Sequence, residues 1–300
     1  MTGTPLCLSG IFPPIPTPFD TNGDVNDTAL TDNITLWNQH ALAGYVVLGS
    51  NGEAAYLGWE EKLRVLETVR RAAPAGKLVI AGTGLESTRE TIHFTLEAAR
   101  SGADAALVLT PHYFDSAMTS ANLVQHFRMV ADASPIPVIL YNVPKFTHVD
   151  MDATAIAQAS RHPNIIGVKD SGGNIAKIAA IVHQSQPDFQ VLAGSASFLF
   201  AALTLGAVGG VLALANIAPQ TCVDILKQTQ AGEWDAAAEL QRKMIAPNAA
   251  VTARFGIPGL KCALDILGYY GGPVRSPLLP LAEPDRQTLM TILTTAGIVP

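Results

Sequence analysis

The segment "IIGVKDSGG", residues 165 to 173, places Lys169 at the end of an apolar run with the composition of a buried strand. Lysine is among the residues least often buried, because an unpaired ammonium in an apolar environment is costly. A partly buried amine tends to lose its proton, and a neutral amine is a nucleophile towards carbonyl groups. A single lysine more often reaches water, so the role of Lys169 depends on what lies beside it.

Polar groups also follow other strand-like runs of the chain. The four segments concerned are "GSNGE" (49–53), "TPHYF" (110–114), "YNVP" (141–144) and "KDSGG" (169–173). They supply a glycine-rich turn whose N–H groups suit an anion, two tyrosines and an amine. Each has a structural explanation when taken alone. Together, at the same end of four strands of one sheet, they indicate a functional site.

A regular alternation of strand and helix patterns would hold these segments together. Eight β-rich runs occur at residues 10–15, 45–49, 78–82, 104–110, 137–142, 165–169, 190–194 and 209–214. Amphipathic helical patterns lie between most of them, such as "WEEKLRVLETVRRAA" and "TRETIHFTLEAARSG". The pattern predicts an α/β protein with a (β/α)8 TIM barrel over residues 1–219. A doubly wound open sheet is the alternative. Residues 220–300 are predicted to form a C-terminal helical extension packed on the barrel.

Composition excludes several classes of protein. The chain has 300 residues, 48% hydrophobic and 15% charged, with a formal net charge of -6. This balance argues against nucleic acid or an anionic membrane surface as a partner. The three cysteines are far apart and include no C-x-x-C, and the N-terminus has no signal-peptide pattern, so a cytoplasmic protein is expected. The apolar segment 199–218 contains three glycines, which indicate a buried helix and strand rather than a membrane span.

The motifs identify the chain as similar to the N-acetylneuraminate lyase and dihydrodipicolinate synthase family, over almost its whole length. "GSNGE" resembles the family's pyruvate-carboxylate loop, "YNVP" its catalytic tyrosine segment and "VKDSGG" the segment with its Schiff-base lysine. Within the family, "HPNIIGVKDSGG", "QVLAGSASFL" and "GYYGGPVRSPL" are most similar to 4-hydroxy-2-oxoglutarate aldolases. The resemblance implies a homotetramer of tight dimers, with no metal and no organic cofactor.

The resemblance also implies roles for individual residues. Lys169 would form an iminium with the ketone of a 2-oxo acid, and Tyr141 would transfer the proton of the C4 hydroxyl. Tyr113 from a neighbouring subunit and Ser50 would complete the proton relay. The substrate contacts that the resemblance implies are Ser50, Asn51, Gly52, Ser171 and Gly194. The expected substrates are small 2-oxo acids: 4-hydroxy-2-oxoglutarate, pyruvate and glyoxylate.

One position departs from a branch of the family. Dihydrodipicolinate synthases usually carry an arginine two residues after the proline of the tyrosine segment, whereas Phe146 stands there in "YNVPKFTH". A phenyl ring cannot bind the carboxylate of aspartate semialdehyde in the bidentate way of an arginine. The synthase is therefore the second interpretation, beside an aldolase or dehydratase for 2-oxo-3-deoxy sugar acids. A neuraminate lyase is weaker still. A non-catalytic 2-oxo acid binding protein is the alternative of another class.

Two further patterns do not support other ligands. "DTNGDVND", residues 20 to 27, resembles a calcium loop, but its glycine comes one place early and Thr31 stands where the final glutamate belongs. The seven histidines are scattered without H-E-x-x-H, which disfavours a metal aldolase.

Overall fold

The computed structural model describes residues 6–299, and its centre is a ring of eight parallel strands. They are β1 Gly10–Phe12, β2 Gly44–Val47, β3 Leu78–Gly82, β4 Ala105–Leu109, β5 Val138–Asn142, β6 Ile165–Asp170, β7 Gln190–Ala193 and β8 Gly209–Val211. Neighbours pair in order from β2 to β8, and β8 pairs with β1. Between β1 and β2, the Val46 N–H donates to the Pro13 carbonyl and the Ile15 N–H to the Val46 carbonyl, both at 3.0 Å. The predicted (β/α)8 TIM barrel is confirmed.

Helices surround this barrel and continue beyond it. Within residues 6–299 they are α1 Asp27–Trp37, α2 Trp59–Ala72, α3 Thr88–Arg100, α4 Ser120–Ala133, α5 Pro144–Thr147, α6 Ala153–Ala159, α7 Ile175–Gln184, α8 Leu199–Thr204, α9 Pro219–Gln230, α10 Trp234–Lys243, α11 Ile245–Ala249, α12 Gly256–Ile266 and α13 Glu283–Thr295. Short 3-10 turns at Ser50–Gly52, Ala54–Tyr56, Asp115–Ala117, Ala196–Phe198 and Ala213–Asn216 follow strands or precede helices. A π-helical turn, Ala250–Arg254, separates α11 from α12.

The helix α3 illustrates how local sequence sets these boundaries. Ser87 caps it, because its hydroxyl accepts a hydrogen bond from the Glu90 N–H at 3.1 Å. One face of the helix carries Phe94 and Ala98, which are buried against the sheet. Gly102, two residues beyond the helix, has a φ of 92° that favours glycine and lets the chain turn towards β4. A serine before the helix and a glycine after it therefore set the two ends of α3.

Alternation along the strands produces two separate cores. In β5, Ile139 and Tyr141 belong to the cluster inside the barrel, whereas Val138 and Leu140 belong to the cluster between the sheet and the helices. Successive side chains of a strand point to opposite faces of the sheet. In each strand that carries a site residue, alternate side chains therefore point into the barrel and towards the helices. The inner face of the barrel therefore presents its last residues to the mouth at the C-terminal ends of the strands.

Some predicted strands are longer than the observed ones. β1 ends at Phe12, because Pro13 and Pro14 have no N–H to donate to a strand ladder. β8 ends at Val211 and is followed by a 3-10 turn. The apolar segment 199–218 contains α8 and β8, as predicted from its glycines. No helix among residues 6–299 has both the length and the apolar character needed to cross a membrane.

The region after β8 packs closely on the barrel. The helix α9 contacts α8 and β1, and α10 contacts α9. The helix α12 contacts both α13 and the π-helical turn before it. The division of the chain at residue 220 stays a prediction.

Candidate active site

Lys169 and Tyr141 form the centre of the barrel mouth. They are partners in the register of β5 and β6, so their Cα atoms lie side by side. Both are buried, with 3% of Lys169 and 6% of Tyr141 exposed. The Nζ atom of Lys169 lies 3.9 Å from the centroid of the Tyr141 ring. Among residues 6–299, no carboxylate lies within 4.0 Å of this amine, so a carbonyl compound in the mouth would not have to displace an ion pair.

The loop after β2 brings a hydroxyl to the same tyrosine. The Ser50 Oγ lies 3.4 Å from the Tyr141 hydroxyl oxygen, and either atom can donate the hydrogen bond. Ser50 begins the 3-10 turn Ser50–Gly52, and the Gly52 carbonyl at its end accepts a hydrogen bond of 2.7 Å from the Thr17 hydroxyl. The first N–H groups of such a turn have no partner within it. Those of Ser50 and Asn51 are therefore available to an anion beside Lys169.

The surroundings of Tyr141 favour its ionised form. Burial by itself raises the pKa of a phenol, because a charge in an apolar environment is poorly solvated. At Tyr141 the positive charge of Lys169 and hydrogen bonds from Ser50, Lys169 and Ser171 outweigh that effect and hold the pKa below its ordinary value of 10. A phenol with a lowered pKa is a better proton acceptor near neutral pH.

Gly194 is required by the close approach of β6 and β7. Its N–H donates to the Asp170 carbonyl at 2.7 Å. A Cβ atom at this position would lie 2.0 Å from the Ser171 Oγ and 2.8 Å from the Ser171 Cα. A residue with a Cβ atom at position 194 would therefore have to displace Ser171, and glycine leaves it in place. A direct contact of Gly194 with substrate stays a prediction.

Tyr113 lies apart from the other predicted site residues. It is 77% exposed and packs edge to face on Phe114, with ring centroids 5.0 Å apart. Its loop is fixed by Glu86, whose Oε2 accepts from the N–H groups of His112 and Tyr113 at 2.9 and 2.8 Å. Within residues 6–299, no hydrogen bond joins the Tyr113 hydroxyl to another residue. One chain thus brings together Lys169, Tyr141 and Ser50 but leaves Tyr113 at the surface.

Behind the Lys169–Tyr141 pair, an outward-facing polar cluster braces the two strands. Asn142 and Asp170 are the next partners in the register, and the Asn142 Nδ2 donates to the Asp170 Oδ2 at 2.8 Å. The Lys177 ammonium lies 3.2 Å from the same oxygen and also pairs with Asp150. Sequence reasoning missed this cluster. Its only local signal is that polar residues directly follow the tyrosine and the lysine in strands that are otherwise apolar.

A second buried ion pair involves Glu53, the residue that directly follows the Ser50–Gly52 turn. The Glu53 carboxylate is 2.6 Å from the Lys261 ammonium, and both side chains are almost completely buried. The sequence pattern "GSNGE" includes Glu53 without indicating a partner. Lys261 is a lysine within an apolar helix, and only the tertiary structure shows what neutralises it.

Phe146 occupies the position at which dihydrodipicolinate synthases usually carry an arginine. Phe146 lies on α5, directly after the "YNVP" segment, and is more than half exposed. The nearest cation along the chain, Lys145, has its Nζ 5.4 Å from the Phe146 ring centroid. It donates to the Thr252 carbonyl at 3.4 Å. Neither side chain offers the planar fork with which an arginine binds a carboxylate.

Sequence comparison shows similarity to one protein family over almost the whole chain. The profile of the Dihydrodipicolinate synthetase family matches residues 7–296. A 4-hydroxy-tetrahydrodipicolinate synthase of Methanothrix thermoacetophila is 35% identical over 286 residues, covering 95% of this chain and 96% of that protein. A protein of Emericella nidulans named "Probable 4-hydroxy-2-oxoglutarate aldolase, mitochondrial" is 38% identical over 282 residues, covering 92% of this chain and 91% of its own.

Solved structures agree with the sequence comparison. The dihydrodipicolinate synthase of Acinetobacter baumannii in complex with pyruvate has a TM-score of 0.93 and 32% identity, covering 98% of this chain and 100% of that one. A prophage protein of the same family from E. coli K12, also in complex with pyruvate, has a TM-score of 0.91 and 31% identity, covering 98% of this chain and 100% of its own. The chain therefore belongs to the dihydrodipicolinate synthetase family of pyruvate-dependent carbon–carbon lyases and synthases, which use a Schiff base between pyruvate and a lysine and no separate cofactor.

Proposed function

We propose that this protein cleaves 4-hydroxy-2-oxoglutarate to pyruvate and glyoxylate, with Lys169 as the Schiff-base residue. The observation that carries the proposal is the contact of three groups at the barrel mouth: the Lys169 amine, the Tyr141 phenol and the Ser50 hydroxyl. The carboxylate next to the ketone would bind to the Ser50 hydroxyl and to the backbone at Ser50, Asn51 and Gly52, where short turns direct N–H groups at anions. Ser171 is the proposed contact to the leaving half of the substrate.

The reaction begins with imine formation. In its neutral form the Lys169 amine attacks the C2 ketone. The Tyr141 phenol donates the proton with which the carbinolamine oxygen leaves as water, so that the C2–N iminium forms and Tyr141 becomes a phenolate. Tyr141, as phenolate, accepts the proton of the C4 hydroxyl. The C3–C4 bond breaks as the C4 oxygen becomes the aldehyde of glyoxylate, and the bond electrons move to the iminium to give an enamine. Protonation at C3 and addition of water to the iminium then release pyruvate and restore Lys169.

Borohydride trapping tests the covalent step. Incubation with pyruvate and borohydride reduces the imine to a stable amine, which should add one pyruvate-derived mass per chain at Lys169. Lys169→Ala should lose both the label and turnover, whereas Lys145→Ala, which removes an exposed amine near the same mouth, should keep the label. Unlabelled wild-type protein, or a label at another lysine, would refute this role of Lys169.

Substrate choice is the second part of the proposal, and it rests on Phe146. A carboxylate taken out of water without its partner is costly, and such a mismatch can change kcat/KM by several powers of ten. The relatives named 4-hydroxy-tetrahydrodipicolinate synthase support a second candidate, condensation of pyruvate with aspartate semialdehyde. The ratio of kcat/KM for the two reactions on the purified protein decides between them. A ratio in favour of condensation would overturn the aldolase proposal while leaving Lys169 in its role.

The exposed Tyr113 and Phe114 support an assembly of several copies. Two neighbouring aromatic side chains, both at least 70% exposed, form an apolar surface that water contacts unfavourably. In the proposed homotetramer this loop would meet a second copy and carry Tyr113 towards the partner's Tyr141. Sedimentation of the wild type and of Tyr113→Ser/Phe114→Ser tests this arrangement. A double variant with unchanged mass and unchanged turnover would refute it.

A further inference from the structure

Both oxygens of the Glu53 carboxylate are bound by the C-terminal part of the chain. The Oε1 atom lies 2.6 Å from the Lys261 ammonium on α12, and the Oε2 atom accepts from the Arg275 N–H at 2.9 Å. Lys261 also donates to the Pro273 carbonyl at 2.8 Å. The Phe19 ring lies 4.4 Å from the Lys261 ammonium and 4.4 Å from the Arg275 guanidinium carbon. A carboxylate is thus held from two sides within an apolar and aromatic enclosure.

The Arg275 side chain extends this connection to the chain that follows Glu53. Its guanidinium donates to the Tyr56 carbonyl at 2.8 Å. It also forms a bidentate pair with Glu61 on α2, with distances of 2.8 and 2.6 Å. The bidentate geometry fixes the orientation of the guanidinium plane. The segment from Glu53 to Glu61 is therefore attached to the C-terminal region at three positions.

The backbone at Glu53 needs such support. Glu53 has a φ of 53°, in the left-handed region that non-glycine residues adopt at a cost. Leu48, on the other side of the Ser50–Gly52 turn, has a φ of 60°. Strained residues of this kind persist only where the surrounding structure determines their conformation, and they occur often at ligand sites. The turn that offers N–H groups beside Lys169 lies between these two residues.

The pair is not explained by stability alone. Burial lowers the pKa of Lys261, and the charge of Glu53 only partly opposes that effect. Replacing a buried ion pair by apolar groups of similar volume is often neutral or stabilising, whereas removal of one partner is destabilising. A fold that needed only stability here could therefore use two apolar side chains. The pair supplies a fixed attachment point for a strained turn.

We infer that Glu53 is a positioning residue, through which Lys261 and the Arg275 backbone hold residues 49–53 in the conformation that binds the substrate carboxylate. The C-terminal region therefore contributes to pyruvate affinity without touching pyruvate. This inference rests on the proposed role of Lys169 and of the Ser50 turn. It assigns to Lys261 a function separate from the chemistry of the imine.

The test measures how the initial rate of borohydride trapping depends on pyruvate concentration. Glu53→Gln keeps an acceptor for the Arg275 N–H but removes the partner of Lys261. The half-saturating pyruvate concentration should rise by at least about 10-fold, because even a 1 Å displacement of positioning groups can cost ~100-fold. The plateau of one adduct per chain should remain, since Lys169 is unchanged.

The double variant Glu53→Gln/Lys261→Met separates positioning from stability. It removes the unpaired buried ammonium, so the melting temperature should return towards the wild-type value while the half-saturating pyruvate concentration stays high. As a control, Asp104→Asn breaks the 3.0 Å Arg70–Asp104 pair at the opposite end of the barrel. This control should lower the melting temperature without changing pyruvate saturation.

Three outcomes would overturn the inference. Wild-type half-saturation in Glu53→Gln would show that the turn holds its conformation without the pair. Recovery of both stability and pyruvate saturation in the double variant would reduce the pair to a structural role. Absence of any label in the wild type would remove the proposed function and this inference together, whereas a labelled wild type with unaffected variants would remove this inference alone.

Discussion

Replacing Asp170 with asparagine should weaken the side-chain contacts between β6, which carries Lys169, and β5, which carries Tyr141. Asp170 is completely buried, and it accepts hydrogen bonds from the Asn142 side chain at 2.8 Å and from the Gly172 N–H at 2.9 Å. The Lys177 ammonium lies 3.2 Å from the oxygen that binds Asn142. Asparagine has almost the same shape, so the substitution changes charge and hydrogen bonding without opening a cavity.

The expected cost follows from these contacts. An amide nitrogen at the Oδ2 position would face two donors, the Asn142 amide and the Lys177 ammonium. Removing one partner of a buried pair costs about 3 to 5 kcal/mol. Lys177 keeps its pair with Asp150, so we expect the lower end, about 3 kcal/mol. With an unfolding entropy of ~2.1 cal/mol/K per residue over the whole chain, this corresponds to a fall of about 5 °C in the melting temperature.

Activity should fall further than stability alone explains. Asn142 and Asp170 follow Tyr141 and Lys169 directly in the register, so a shift of this pair moves the two residues that are proposed to react. We expect turnover to fall about 10- to 100-fold, the scale that small misplacements of catalytic groups produce. Borohydride trapping at saturating pyruvate should still reach one adduct per chain, because the amine itself is unchanged.

Asp150→Asn provides a matched control. The Asp150 side chain contacts the same Asn142 and Lys177 but is 56% exposed, so its loss should cost less than about 1 kcal/mol. Urea unfolding and steady-state kinetics of both variants test the reasoning. If Asp170→Asn costs less than about 1 kcal/mol and keeps wild-type turnover, or if Asp150→Asn costs as much, the buried cluster does not brace the site.

Three further predictions concern proton transfer and acid stability. Tyr141→Phe removes only the hydroxyl, so turnover should fall about 100- to 10,000-fold while borohydride trapping at Lys169 continues. Near wild-type turnover would show that another group accepts the proton of the C4 hydroxyl. Because the pKa of Tyr141 lies below 10, kcat should rise with pH at a value below pH 10. Ser50→Ala removes a hydrogen bond to the phenolate and should move this rise to higher pH. A pH profile of Ser50→Ala that matches the wild type would contradict the role of this hydrogen bond. Burial lowers the pKa of His126 from 6.5 to about 4. Between these pH values the unfolded chain binds a proton at His126 that the folded chain does not bind, so the free energy of unfolding should fall as the pH drops from 6.5 towards 4. The loss between pH 8 and pH 5 should be about 2 kcal/mol in urea unfolding and should disappear in His126→Gln; an equal loss in that variant would assign it to other groups.

Local patterns along the chain were sufficient for the barrel and for the placement of Lys169 and Tyr141 near the ends of its strands. The eight strands follow from short apolar runs separated by capped amphipathic helices, a pattern that depends only on which side chains leave water. Lys169 and Tyr141 were noted because they lie at or near the C-terminal ends of such runs, which a parallel barrel brings to one mouth, and the resemblance to the family implied their roles. These inferences need no knowledge of contacts between distant residues. The predicted strand ends differ from the observed ones, as at β1, which is shorter than predicted because two prolines interrupt the hydrogen bonds of the ladder.

The tertiary structure decided the features that depend on distant partners. Lys261 follows Leu260 in the apolar helix α12, and its charge is balanced only because the fold brings Glu53 to within 2.6 Å. The close approach at Gly194 arises from Ser171, which directly follows the neighbouring strand β6, and the exposed Tyr113 lies in a loop that the distant Glu86 fixes. The sequence by itself determined the periodicity of the elements and the chemistry of the residues at their ends, because both are local properties of the chain. The tertiary structure decided which charges are paired and which turns are held in strained conformations. A buried ion pair forms only where two distant segments of the chain meet with matching geometry.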